Sequence, residues 1–186
     1  MKTEDDPLDP NPPAAQRESL AAIEYLERVV PAAPMQGIVL RYGSFYGPGA
    51  SDAFVDLIRK RRLPIIGDGA GVWSFLHIRD AAAVAALEHG RPGVYNVVDD
   101  EPARVAEWLP FLAQAVGAKP PRRVPVWLGR LAAGEVAVSA MTQIRGSSNA
   151  RAKRELGWQP AWPSWREGFA RGLSDAEPAR GATGRR

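Results

Sequence analysis

At 186 residues, with 45% of them apolar types, the chain is long enough to bury a core of its own and too apolar for an intrinsically disordered protein. It carries no cysteine and two histidines, His77 and His89, which excludes disulfides, thiolate metal sites, cysteine nucleophiles and a histidine-rich metal centre. The formal net charge is only +3, and the arginine-bearing tail PARGATGRR has nothing apolar to fold around, so no nucleic-acid partner is expected.

The opening MKTEDDPLDP is acidic and proline-rich where a signal peptide is basic and then apolar, and residues 1–13 form a lead-in that Pro12 and Pro13 close. No apolar run approaches the roughly 20 residues of a membrane span, so no membrane partner and a cytoplasmic location are expected. Over 14–30, Leu20, Ile23, Leu26 and Val30 recur at helical spacing with Glu and Arg between them, which predicts an amphipathic helix. GIVLRY, 37–42, is a short β-rich run between Pro34 and Gly43 and predicts a buried strand. A helix over 52–62 ending on basic residues, a strand over 64–67 and the turn GDGAG follow.

The next strand is expected over 72–78, after which Asp80 would cap an Ala-rich helix running to Glu88. A strand at 94–98 precedes a helix opened by Pro102 and Ala103 and closed by Gly117. Beyond the hinge KPPRRVP, residues 126–145 are mostly helical, although Gly129 and Gly134 oppose it. Asn149 would cap a helix ending at Leu156-Gly157, and a last helix spans 165–173. Residues 175–186 read as a disordered basic tail. Strands alternating with helices argue for an α/β fold on parallel strands, with more helix than so few strands need.

Four stretches in this order, LRYGSFYGPG (40–49), WSFLHIRDAAAVAAL (73–87), GVYNVVDDEP (93–102) and SNARAKRELGWQPAW (148–162), carry a resemblance. From about residue 3 to about residue 173, the chain resembles the C-terminal half of the extended short-chain dehydrogenase/reductases, the NAD-dependent epimerase/dehydratase proteins, and most closely their sugar-modifying members. The resemblance implies the C-terminal part of a doubly wound Rossmann-like parallel sheet plus a small, mostly helical substrate-binding lobe, within a partial NAD(P)- and substrate-binding domain at 14–174. It implies NAD or NADP as cofactor, a small sugar-like substrate, and a homodimer through the helix at 16–30.

A complete relative holds the cofactor pyrophosphate at a Gly-rich strand-turn-helix. No such turn follows a strand here; Gly67-Asp68-Gly69-Ala70-Gly71 opens no helix, so binding of the dinucleotide by this chain alone is not expected. The family's chemistry uses a Tyr four residues before a Lys on a helix. With Glu27 at the glutamate one turn past the Lys, the Lys position is Ile23 and the Tyr position Ser19, so no catalytic residue is assigned; Tyr25 reads as packing. The resemblance places Tyr42 and Ser44 at the cofactor, Ser44 where many relatives have Asn, and Phe45, Tyr46, Trp73 and His77 at the substrate. Trp73 stands where sugar-nucleotide epimerases often carry a phosphate-pairing Arg, and an indole stacks rather than pairs. The expected function is the substrate-binding half of an epimerase/dehydratase-like oxidoreductase, inactive alone. The alternatives are a non-catalytic ligand-binding or interaction protein and a truncated gene product.

Overall fold

The structure, a computed structural model, describes residues 1–81 and 90–174. A single 3-10 turn at Ala14–Gln16 leads into α1, Arg17–Val29. Its apolar residues keep the predicted helical spacing, yet none is buried: Ile23, Tyr25, Leu26 and Val29 are all exposed. The lead-in lies against the body of the protein. Lys2 bridges to Ser147, the Glu4 carboxylate accepts from the Asn96 backbone N–H at 2.8 Å, and Asp5 pairs with Arg151.

β1, Ile38–Tyr42, runs parallel to β6, Gly93–Val97. After Gly43 the chain continues as β2, Ser44–Tyr46, parallel to β5, Phe75–His77. The step is tight because a Cβ on Gly43 would lie 2.8 Å from the Ser74 carbonyl oxygen. β3, Ile65–Ile66, pairs in parallel with β8, Arg123–Val124, and β4, Val72–Trp73, pairs antiparallel with β7, Ala103–Arg104. The single strand predicted at 72–78 is therefore two, broken at Ser74, whose hydroxyl accepts the Ser147 N–H at 2.8 Å. The remaining turn, Ile78–Asp80, is 3-10, and the helix expected from Asp80 to Glu88 lies outside the described residues, as do His89 and the tail at 175–186.

The other helices are α2, Asp52–Arg59; α3, Val105–Ala115; α4, Val126–Thr142; α5, Ala150–Leu156; and α6, Trp165–Arg171. Gly134 breaks α4 with φ 80° and ψ 173°, a backbone state open to glycine and strained for any side chain. Gly157 ends α5 in the left-handed state as its position predicts. Asn149 does not cap α5 with its side chain; its amide instead donates to the carbonyls of Val98 and Asp99 and to the Asp100 carboxylate.

The main core packs Phe75, Trp108, Leu109, Leu112, Trp165 and Phe169, and a second joins Leu76, Tyr95 and Val97 to α5 through Leu156 and Trp158. Full burial of such side chains contributes about 2–3 kcal/mol each. The expectation of only a C-terminal part of the sheet, implied by the resemblance and by the few strands counted, is corrected here. The chain makes its parallel pairings internally and seats α3 and α6 on β5, so sheet and helical lobe together extend across the described residues. Among those residues no helix is long and apolar enough to cross a membrane.

Candidate functional site

Parallel strands present their C-terminal ends to a ligand crevice. At that end of β1 and along β2, side chains alternate outward and inward. Tyr42 and Phe45 are 39% and 42% exposed, with ring centroids 5.3 Å apart and planes tilted by 44°. Partial burial raises the Tyr42 phenol above its ordinary range. Ser44, between them in sequence, is half-buried and its N–H donates to the Ser74 carbonyl at 2.8 Å. Its hydroxyl has no side-chain partner among the described residues.

Tyr46 and His77 pair across β2 and β5 and are both buried, with rings 5.1 Å apart in a T-shaped arrangement. Tyr46 also packs edge-on against Phe169, and His77 stacks on Trp162 at 4.7 Å. One His77 nitrogen meets the Gly172 carbonyl at 3.0 Å and the other accepts the Arg79 N–H, so both positions are used. Burial holds the imidazole below its usual value, and it sits neutral in the core. Asp80 accepts from the N–H groups of Ala161 and Trp162 at 3.0 and 2.8 Å, pinning the segment that carries Trp162 over His77.

Trp73 lies in a cluster with Phe54, Phe75 and Trp108, centroids 5.1 to 6.2 Å away, and its indole N–H donates to the Ala140 carbonyl at 2.8 Å. That bond uses its one polar atom. The six residues placed at cofactor and substrate thus fall into three groups: an exposed ring pair with Ser44 between, a buried Tyr46–His77 pair, and Trp73 in an aromatic wall. On α1, Ser19 and Ile23 are both exposed one turn apart, and Tyr25, expected to pack, is 60% exposed beneath the Arg28 guanidinium.

A nicotinamide dinucleotide needs a surface for its ring and donors for its pyrophosphate. The Tyr42–Phe45 pair with Ser44 fits the first. The Gly67–Gly71 turn does not fit the second, because Gly69 N–H is bonded to Ile66, Gly71 N–H to Met141 and Ala70 N–H to the Asp68 side chain. The other glycine-bearing strand-to-helix turn, Gly47–Ser51 between β2 and α2, has its Gly47 N–H bonded to the Ser51 hydroxyl at 3.0 Å.

The sequence profile of the NAD dependent epimerase/dehydratase family matches residues 2–97, more than half of the 186. The chain belongs to that family. Within it, a 3-diazoavenalumate denitrifying reductase from a Streptomyces species is 45% identical over 159 residues, which are 82% of this chain and 52% of that protein. Among solved structures, a functionally unknown conserved protein from Silicibacter pomeroyi is 26% identical with a TM-score of 0.69, over 90% of this chain and 58% of the other. Human epimerase family protein SDR39U1 with NADPH is 21% identical with a TM-score of 0.73, over 91% and 58%.

The chain spans about half the length of the curated relative. The epimerase/dehydratase likeness covers nine tenths of this chain, so the recognition of a C-terminal half only, and the inactive half-protein built on it, are corrected. The reason is that the likeness was bounded by what the four motifs and the absent glycine turn showed, whereas the backbone matches over about nine tenths of the chain.

Two structural features escaped sequence reasoning. Glu27 and Arg41 form an ion pair; its signal was an arginine inside the apolar run IVLRY. Asp99 is a buried carboxyl at the end of β6, signalled by an aspartate directly after YNVV.

Proposed function

We propose that this chain is an NAD(P)-linked oxidoreductase that reduces a small, activated aromatic substrate. The observation that carries the reading is its 45% identity to a denitrifying reductase, whose name describes reduction of a diazo compound with loss of nitrogen. The α1 surface supports it. Interconverting an alcohol and a ketone needs a group that moves a proton, worth about a hundred- to ten-thousand-fold in rate, and neither Ser19 nor Ile23 is one. Replacing an aryl diazonium group by hydride forms a C–H bond and breaks the C–N bond, whose electron pair leaves with dinitrogen. No protein proton is required.

The dinucleotide, when bound, supplies the hydride. Tyr42 would present its ring to the nicotinamide, and the Ser44 hydroxyl can donate to and accept from a carboxamide. Phe45 and the half-buried Trp73 would meet the substrate, with Tyr46 and His77 holding the loop from the core. Because Trp73 has spent its N–H on Ala140, its aromatic wall offers no cation for a diphosphate and favours a planar aromatic ligand over a nucleotide sugar. Because the N–H groups of the Gly67–Gly71 turn are already bonded, affinity for the dinucleotide is expected to be weak and to rest on its nicotinamide end.

The test supplies the purified protein with NADH or NADPH deuterated at the transferred position and an aryl diazonium carboxylate, and follows deuterium in the arene by mass spectrometry. Enzyme-dependent incorporation is expected, with Phe45→Ala lowering kcat/KM by about tenfold or more and Ser19→Ala leaving it unchanged. Absence of enzyme-dependent incorporation with either cofactor rejects the reading.

A further inference from the structure

We infer that the buried Asp99 carboxyl group is a proton lock, in which one proton on it keeps α6 docked on the β2–β5 pair and its loss releases that helix. The inference is independent of which reaction the protein performs.

Asp99 lies two residues beyond β6 and is 1% exposed. Its backbone is fixed on both sides: the N–H donates to the Phe75 carbonyl at 2.7 Å, and the carbonyl accepts from the Asn149 amide at 3.3 Å. Its Oδ1 accepts the Glu101 N–H at 3.3 Å, while Oδ2 is buried with no hydrogen-bond partner among the described residues. The Tyr46 hydroxyl, on a residue 2% exposed, is likewise buried and unpartnered. Rings close the enclosure. Phe169 packs on Tyr46 at 5.2 Å, and the Trp165 backbone at the start of α6 reaches the Asp99 carboxyl group, so α6 lies against both polar groups.

The surrounding charges make this enclosure hostile to an anion. Glu101 faces Asp99 from its own loop, while Asp80 from the turn after β5 and Glu167 from α6 face the Tyr46 hydroxyl. His77 on β5 is held neutral by burial. The nearby cations point elsewhere: Lys153 pairs with Asp100, and Arg166 pairs with Glu101 and Glu107 with its guanidinium over the outer face of Trp165. The Trp165 and Glu101 N–H groups favour the carboxylate, yet burial outweighs them and pushes the Asp99 carboxyl up to about 8. Burial also raises the Tyr46 phenol far above its usual range, so it stays a neutral hydroxyl throughout.

The sign follows. The folded carboxyl binds its proton more tightly than the unfolded one, so docking weakens as pH rises from the unfolded value near 4 and the cost is fully developed once pH passes about 8. A charge left in such a shell is relieved only by admitting water, and the movable wall is α6, a seven-residue terminal helix.

Hydrogen exchange on the full chain between about pH 6 and about pH 10, corrected for intrinsic rate, tests the lock. Wild type should lose protection over α6 as pH rises to about 8 and level off beyond it, while α3 stays protected. Asp99→Asn, which cannot ionise, should keep α6 protected to the alkaline end. Retained protection in wild type, or the same loss in Asp99→Asn, overturns the proposal. Should Asp99→Asn not fold, the carboxyl carbon resonance of Asp99 in wild type decides: titration near 8 supports the lock and titration in the ordinary aspartate range overturns it.

Discussion

Glu27 and Arg41 meet in a forked ion pair, with Nε and Nη2 each 2.6 Å from its own carboxylate oxygen. The Glu27 side chain is 11% exposed and the Arg41 side chain 23%, so the pair is largely withdrawn from water. The bonds to Glu27 raise the guanidinium still further above its ordinary range. Since α1 buries no residue, this pair is its main tie to the sheet. Glu27→Gln leaves a half-buried cation without its partner and should cost about 1–3 kcal/mol, less than a fully buried pair would. Urea unfolding measures the loss, and hydrogen exchange should show it concentrated in α1.

The same helix leaves Ile23 and Leu26, neighbours three residues apart, each 45% exposed. Such an exposed apolar pair seeks cover, and the expected homodimer would use it. Replacing Ile23 and Leu26 together by Glu should turn any concentration-dependent assembly seen by light scattering into monomer. An unchanged mass would place self-association, if present, on another surface.

His77 sets an acid limit on stability. Burial holds its folded value below the unfolded one near 6.5, so its contribution is complete above that pH and is lost as pH falls beneath it. The slope is at most ~1.4 kcal/mol per pH unit. His77→Asn stays uncharged and should show a smaller drop in urea midpoint between about pH 7.5 and about pH 5.5 than wild type does.

Gly168 faces the Tyr46 ring so closely that a Cβ built on it would overlap both ring and hydroxyl. Gly168→Ala should destabilise by about 1–3 kcal/mol through overpacking, despite alanine's better helix propensity. Pairing it with Tyr46→Leu should recover much of the loss, and failure of that rescue would show that the strain lies elsewhere.

Local signals were enough for α1, β1, β6 and the helix stop at Gly157, because each depends on spacing, on a bounded apolar run or on one special residue. The break at Ser74 was not legible: WSFLHI reads as one strand, and only the competing partners Ala103–Arg104 and β2 divide it. Likewise Pro102 and Ala103 look like a helix start, but Ala103–Arg104 is captured by β4 first. At the site, the residue types around Tyr42 and His77 were readable, and their directions were not. Tyr46 and His77 turn into the core because α6, more than ninety residues on from His77 at Gly172, closes over them. Asp99 was hidden for the same reason, since its burial is made by chain remote in sequence.

Ser74 separates two strands that belong to different pairings, one antiparallel and one parallel, with no spare residue between them. Sheet and lobe are therefore geared together like teeth on one shaft. A slip of the lobe along the sheet would have to strip both pairings at once, and a one-residue insertion beside Ser74 would turn every side chain of β5 to the opposite face. Any opening of the crevice would then come from bending rather than sliding, and the glycine break in α4 divides the half that holds Trp73 through Ala140 from the half seated on Ile66 through Gly129.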